Sequence, residues 1–252
     1  MEHTYFIGDP EAQLDDWQLQ DMPDNCAVAA ETSLINQFLP DDLSLDEANY
    51  ISMSNGWWAP GSGTQPSEIG NLMDLCGIPN HTVMNADITD LAKELQGGHG
   101  IIVGVNSAEL WDQGILGELR NWLIENLGLD SAAFTQADHA VVVTGMDFTD
   151  PDHPMVILND SGTPDGAGAA YPLEKFMDAW ENSGFYYTAT DVSLPADQAR
   201  GLGSLDVGDF LGMGTSFLVG AMTGSPNIAV AAGTLVDQIA DNIDWDSVLQ
   251  SI

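Results

Sequence analysis

The segment from His139 to Asp160 constrains this chain more than any other. It reads HAVVVTGMDF, then TDPDHP, then MVILND. β-branched residues dominate both apolar runs, and the Asp- and Pro-rich residues between them favour a turn. The segment therefore predicts a hairpin, with strands His139 to Phe148 and Met155 to Asp160. In an antiparallel pair the start of the first strand lies beside the end of the second, so His139 and Asp160 should be neighbours.

Around the hairpin, from Thr4 to Thr190, helix-like and strand-like segments alternate with Pro/Gly/Asp turns, the pattern of one mixed α and β domain. The strongest helix signal is Cys26 to Phe38, with Asp24 or Asn25 placed to cap its first turn and Pro40 to end it. Asp46 to Ser54, Ser67 to Cys76, Ile88 to Gln96, Ile115 to Leu127 and Leu173 to Asn182 read as further helices. Phe176, Met177 and Trp180 share a face of the last. Ile101 to Val105 and Phe185 to Thr190 read as strands, and NGWWAPGSGT as a loop. In that loop Trp57 and Trp58 are either a wall of a binding cleft or one core anchor with one surface partner.

Charge excludes whole classes of function. The chain carries 39 Asp and Glu against 4 Lys and Arg, a formal net charge of −35. No basic patch can form from Lys93, Arg120, Lys175 and Arg200, which rules out nucleic acid as a partner and disfavours anionic membrane surfaces. Hydrophobic residues nevertheless make up 44% of the chain, too many for an acidic disordered tail. The acids are scattered, as on a solvated surface. The opening residues lack the basic and apolar regions of a secretory signal, so the expected location is the cytoplasm, or export without a cleaved N-terminal signal.

A cysteine in the first turn of a helix meets unpaired N–H groups and the positive end of the helix dipole, which favour the nucleophilic thiolate. Cys26 has that placement. His139 with Asp160 beside it supplies a base and the group that orients it. Gln20, six residues before Cys26, can donate a side-chain amide to an oxyanion together with the backbone N–H of Cys26. Cys76, in LMDLCGIP, reads as core rather than as a partner for Cys26. His3, His81, His99 and His153 show no metal-ligand spacing, and NDSGTPDG lacks the alternating acids of a calcium loop. No cofactor or metal is expected. Gly97-Gly98 reads as an ordinary helix stop.

The order Gln20, Cys26, His139, Asp160 resembles the papain-like cysteine peptidases. QDMPDNCAVAA, NGWWAPGSGT, ADHAVVVTGMD, VILNDSGTPDGAG and FMDAWENSG are similar to proteins related to the bacteriocin leader-processing (double-glycine) peptidase family, over roughly residues 5 to 190. The resemblance implies an α+β, papain-like bacterial fold in which a nucleophile helix packs on an antiparallel sheet. It also implies that Cys26 is the nucleophile, His139 the general base and acid, Asp160 its orienter and Gln20 part of the oxyanion hole, acting on a peptide or protein substrate. Many relatives have Asp-Pro where this chain has Asp160-Ser161. Asn159 is the alternative orienter, since papain uses an amide, but the strand-end placement favours Asp160.

The grammar changes after Leu194-Pro195, giving a peptidase-like domain over residues 1–194 and an apolar, Gly- and Ala-rich, partly helical segment over 195–252. No charged side chain occurs from Phe210 to Val236. Thr223 to Asn227 interrupts that stretch, and no cation flanks it, against a membrane span. Ile228, Ala232, Leu235, Ile239 and Ile243 recur at helical spacing and need an apolar partner surface. Residues 205–252 are therefore expected to serve homo-oligomer assembly, a protein partner or export. The alternative function is accordingly a catalytically silent peptidase-fold module that binds or self-assembles through this segment.

Overall fold

The expected hairpin lies at the centre of a seven-stranded antiparallel sheet in the computed structural model, which describes residues 6–39, 42–111 and 137–194. The elements in chain order are β1 (Phe6–Gly8), α1 (Cys26–Asn36), α2 (Leu45–Asn55), β2 (Trp58–Ala59), β3 (Gly63–Thr64), α3 (Asn71–Leu75), β4 (Asn80–Val83), α4 (Ile88–Gln96) and β5 (His99–Val105). There follow α5 (Ser107–Trp111), β6 (His139–Asp147), β7 (Met155–Asn159), β8 (Ala169–Pro172), α6 (Leu173–Glu181) and β9 (Tyr187–Ser193). The strand order is β4-β9-β5-β6-β7-β8, and β1 pairs with β6. Strand β5 pairs along the first half of β6, from His139 to Val143, while β1 takes Gly145 to Asp147.

Side chains alternate between the faces of a strand, and here both faces are covered. Ile102, Ala140 and Val142 join Val28, Leu34 and Ile35 of α1 in one cluster. Ile101, Val103, Val141 and Val143 are equally buried on the alternate positions, and α4 and α6 pack against β5. Two covered faces explain why HAVVV is continuously apolar rather than alternating. Helix α1 is itself buried from Ala27 to Asn36, so its polar residues need internal partners. Thr32 Oγ1 donates to the Val28 carbonyl at 2.7 Å, Ser33 Oγ to that of Ala29 at 2.9 Å, and Asn36 both accepts from and donates to the Leu43 backbone.

Several expectations are corrected. Ser67 to Cys76 is not one helix: a 3-10 turn over Pro66–Glu68 is separated from α3 by extended Ile69 and by Gly70 at φ 106°. A side chain at Gly70 would collide with the Asn80 carboxamide, and the Glu31 carboxylate meets the first N–H groups of α3. NGWWAPGSGT is not wholly loop, because it holds the two-residue pairing of β2 with β3. Trp58 in it is a core anchor, 2% exposed, with Nε1 donating to the Asp24 carbonyl, and Trp57 packs partly buried against the same core. The last strand begins at Tyr187, since Phe185 adopts φ 52°. Strands β1, β4 and β8 are too short to carry a periodic signal. The expected helix Ile115 to Leu127 and the segment 195–252 lie outside the described residues. Among the described residues, no helix is long and apolar enough to cross a membrane, and no group of His, Cys, Asp and Glu could hold a metal ion.

Candidate active site

Cys26 is the first residue of α1 and is partly buried. Neither expected cap forms in the usual way. Asn25 occupies the N-cap position but makes no side-chain cap bond. Instead its carboxamide, fully buried, accepts from Met22 N–H at 3.1 Å and donates to Asp21 Oδ1 at 2.6 Å and to Asn49 Oδ1 at 3.0 Å. The Asp24 carboxylate accepts from Gly61 N–H. Asn25 thereby braces the loop that enters the helix, and it leaves the first-turn amides beside Cys26 free of a competing side-chain oxygen.

His139 and Asp160 meet as the hairpin requires, although they stand 21 residues apart. Val142 pairs with Asn159, which sets Asp160 just past the end of β7 and alongside the start of β6. His139 Nε2 lies 2.7 Å from Asp160 Oδ1, leaving Nδ1 as the ring nitrogen for its second partner, the Cys26 side chain. Burial works against a charge on His139, but the Asp160 carboxylate and the Cys26 sulfur outweigh it and push its pKa up to about 9. Asp160 is 0% exposed. Burial would raise its pKa, yet His139, Trp111 and the Gly162 N–H hold it below the ordinary carboxylate range.

That carboxylate accepts from several donors. Trp111 Nε1 donates to Oδ2 at 2.7 Å, Tyr171 OH to the same oxygen at 3.3 Å, and Gly162 N to Oδ1 at 2.8 Å. The Trp111 ring also packs on the imidazole, centroids 5.1 Å apart and planes at 59°. Such packing fits only because residue 162 is glycine: a Cβ there would sit 2.6 Å from Trp111 and 3.0 Å from His139. Trp111, Tyr171 and Gly162 were not legible as site residues. Trp111 belongs to a five-residue helix 49 positions from Asp160, and no spacing rule joins them.

Gln20 is tied to the same turn. Its backbone N–H donates to the Ser161 carbonyl at 2.9 Å, its Oε1 is 3.4 Å from Ser161 Oγ, and its Nε2 donates to the Met22 carbonyl at 2.9 Å. Asn159, the alternative orienter, faces elsewhere: Nδ2 donates to the Gln13 carbonyl and Oδ1 accepts from Gly168 N–H. Asp138, next to the histidine in sequence, is engaged by Ser107. Cys26 and Cys76 are both free thiols, and burial together with Glu31 pushes the Cys76 thiol pKa up.

An imidazole with a buried carboxylate on one nitrogen and a sulfur on the other can take up and return a proton at that sulfur. Comparison with known proteins bears on the family rather than on these side chains. The model of the Peptidase_C39 like family matches residues 9–188. Uncharacterised proteins of Mycobacterium bovis and Mycobacterium tuberculosis are 27% identical over 208 residues, covering 73% of this chain and 83% of each relative. A crystal structure from Bacillus anthracis described as C39-like has a TM-score of 0.49 at 14% identity, covering 75% of this chain and 99% of the other. The peptidase domain of Streptococcus ComA, a bifunctional ABC transporter of a quorum-sensing pathway, has a TM-score of 0.44 at 16% identity, with 69% and 96% covered. Matched over a span that holds Cys26, His139 and Asp160, the chain, a mixed helix and antiparallel-sheet fold, belongs to the Peptidase_C39-like family and is a cysteine peptidase-like hydrolase.

Proposed function

We propose that the protein cleaves a peptide or related amide bond with Cys26 as nucleophile, His139 as general base and acid, Asp160 as the orienting group, and Gln20 with the Cys26 backbone N–H as oxyanion donors. The observation that carries this reading is the position of His139, which engages Asp160 through Nε2 and Cys26 on its other side. His139, its pKa raised to about 9, holds the proton taken from the Cys26 thiol, and the sulfur attacks the scissile carbonyl carbon. The carbonyl oxygen becomes an oxyanion facing the uncapped first turn of α1. One hydrogen of the Gln20 amide is occupied by Met22, and the second can add to that hole.

Collapse of the tetrahedral intermediate breaks the C–N bond, and the His139 imidazolium protonates the departing amine. A water molecule then attacks the thioester, its proton passing to His139, and the acid product leaves with the thiol restored. Asp160 keeps the ring in one tautomer throughout and stays ionised.

The test pairs cleavage with chemistry at the sulfur. Incubation with a peptide library should give cut products with the wild type and none with Cys26→Ala. Iodoacetamide should alkylate Cys26 faster than Cys76, and His139→Ala should slow that reaction. Cleavage that survives Cys26→Ala would overturn the assignment.

A further inference from the structure

Beside the His139–Asp160 pair lies a pocket of about 280 Å³ lined by Trp111, Thr163, Asp165, Ala169, Ala170 and Tyr171. Two of these residues also belong to the catalytic surroundings. Trp111 packs on His139, and both Trp111 and Tyr171 donate to Asp160 Oδ2. The volume is enough for one long side chain. Two aromatic residues, the Asp165 carboxylate, the Thr163 hydroxyl and two alanines line it.

Aromatic faces attract cations, and a carboxylate at the rim adds a charge-assisted hydrogen bond. The surrounding field has the same preference, with 39 acids against 4 Lys and Arg in the chain. The side of His139 is also where the leaving amine departs, because the imidazolium protonates it. We propose that this pocket receives a lysine or arginine side chain of the substrate segment on the leaving-group side of the scissile bond. This specificity rests on the assignment of Cys26 and His139 as the reacting pair.

Cleavage-site profiling with the full-length protein tests it. Among library peptides whose cleavage is abolished by Cys26→Ala, Lys or Arg should be enriched within the first residues after the cut. Peptide pairs that differ only by arginine or its neutral isostere citrulline should favour arginine by about tenfold. Asp165→Asn should bring that ratio towards one, and Asp165→Lys should turn the preference towards Asp and Glu. A profile without cationic enrichment, or a ratio that ignores both Asp165 variants, overturns the proposal.

A binding measurement decides the matter even where no peptide is cut, the outcome that would defeat the catalytic assignment instead. The indole N–H resonance of Trp111, identified by its loss in Trp111→Phe, should shift on titration with N-acetylargininamide. It should shift much less with the citrulline analogue, and the arginine response should disappear in Asp165→Asn. Equal responses to the two probes, or none to either, overturn the cationic pocket regardless of catalysis.

Discussion

Glu31→Gln isolates one buried carboxylate on the helix that carries Cys26. Glu31 is 3% exposed, and its Oε2 accepts from Leu72 N–H at 3.1 Å and Met73 N–H at 3.3 Å. Burial raises its pKa from 4.5 to about 7, against the lowering effect of those amides, with Asp74 adding repulsion. A raised folded-state pKa means the folded protein holds this proton more tightly than the unfolded chain. The stabilisation is then complete below about pH 4.5 and is lost as pH rises through about 7. At roughly 1.4 kcal/mol per unit, the whole shift corresponds to about 3 kcal/mol, most of which falls between about pH 5 and pH 9.

Glutamine keeps an acceptor for the α3 amides and removes the titration. Urea unfolding followed by tryptophan fluorescence, for wild type and variant at both pH values, separates the two effects. Any loss of capping offsets the curves equally at both pH values, whereas the titration appears in the difference of differences. The wild type should lose about 2–3 kcal/mol more than Glu31→Gln on going from about pH 5 to pH 9. Parallel pH profiles would show that Glu31 does not hold a raised pKa and would refute the reasoning.

Four other predictions concern the site. Asp160→Asn removes the carboxylate that raises the His139 pKa, so the imidazole Hε1 resonance should titrate about one unit or more below the wild type, with slower Cys26 alkylation. Asp160→Ala, which orphans the His139, Trp111 and Gly162 donors, should cost about 3–5 kcal/mol in chemical denaturation. Gly162→Ala places a methyl group 2.6 Å from Trp111, and should cost about 1–3 kcal/mol while changing Trp111 fluorescence and lowering peptide cleavage. Asn25→Ala removes the brace of the loop before Cys26 and should lower stability by about 1–3 kcal/mol and cleavage with it, measured by urea unfolding and product formation.

The site was legible in unequal parts. The hairpin could be read because its two strands are close in sequence and strongly β-forming, so the register alone brings His139 to Asp160. Asp160 was favoured over Asn159 by its strand-end placement, and in the fold the Asn159 carboxamide turns instead to Gln13 and Gly168. Cys26 could be placed at a helix start, but not its bracing. A polar residue before a helix predicts a cap, whereas Asn25 turns back to Asp21, Met22 and Asn49. The break at Gly70 was hidden for a related reason. Pro66-Ser67 with Glu68 reads as a helix start and Gly77 as its stop, but the buried Glu31 from another helix and Asn80 from a later strand fixed where α3 begins.

Sequence by itself determined what depends on neighbours along the chain: the helix that begins at Cys26, the histidine hairpin, and a charge balance that leaves no basic surface. Tertiary structure decided what depends on residues that meet only after folding. It brought Trp111 onto His139, and Trp111, Tyr171 and Gly162 onto one carboxylate. It also placed Asp165 and two aromatic residues around a single pocket. Hydrogen-bond directions and ring packing act over a few ångströms in space, and no periodicity of a linear chain records which distant residues will come within that reach.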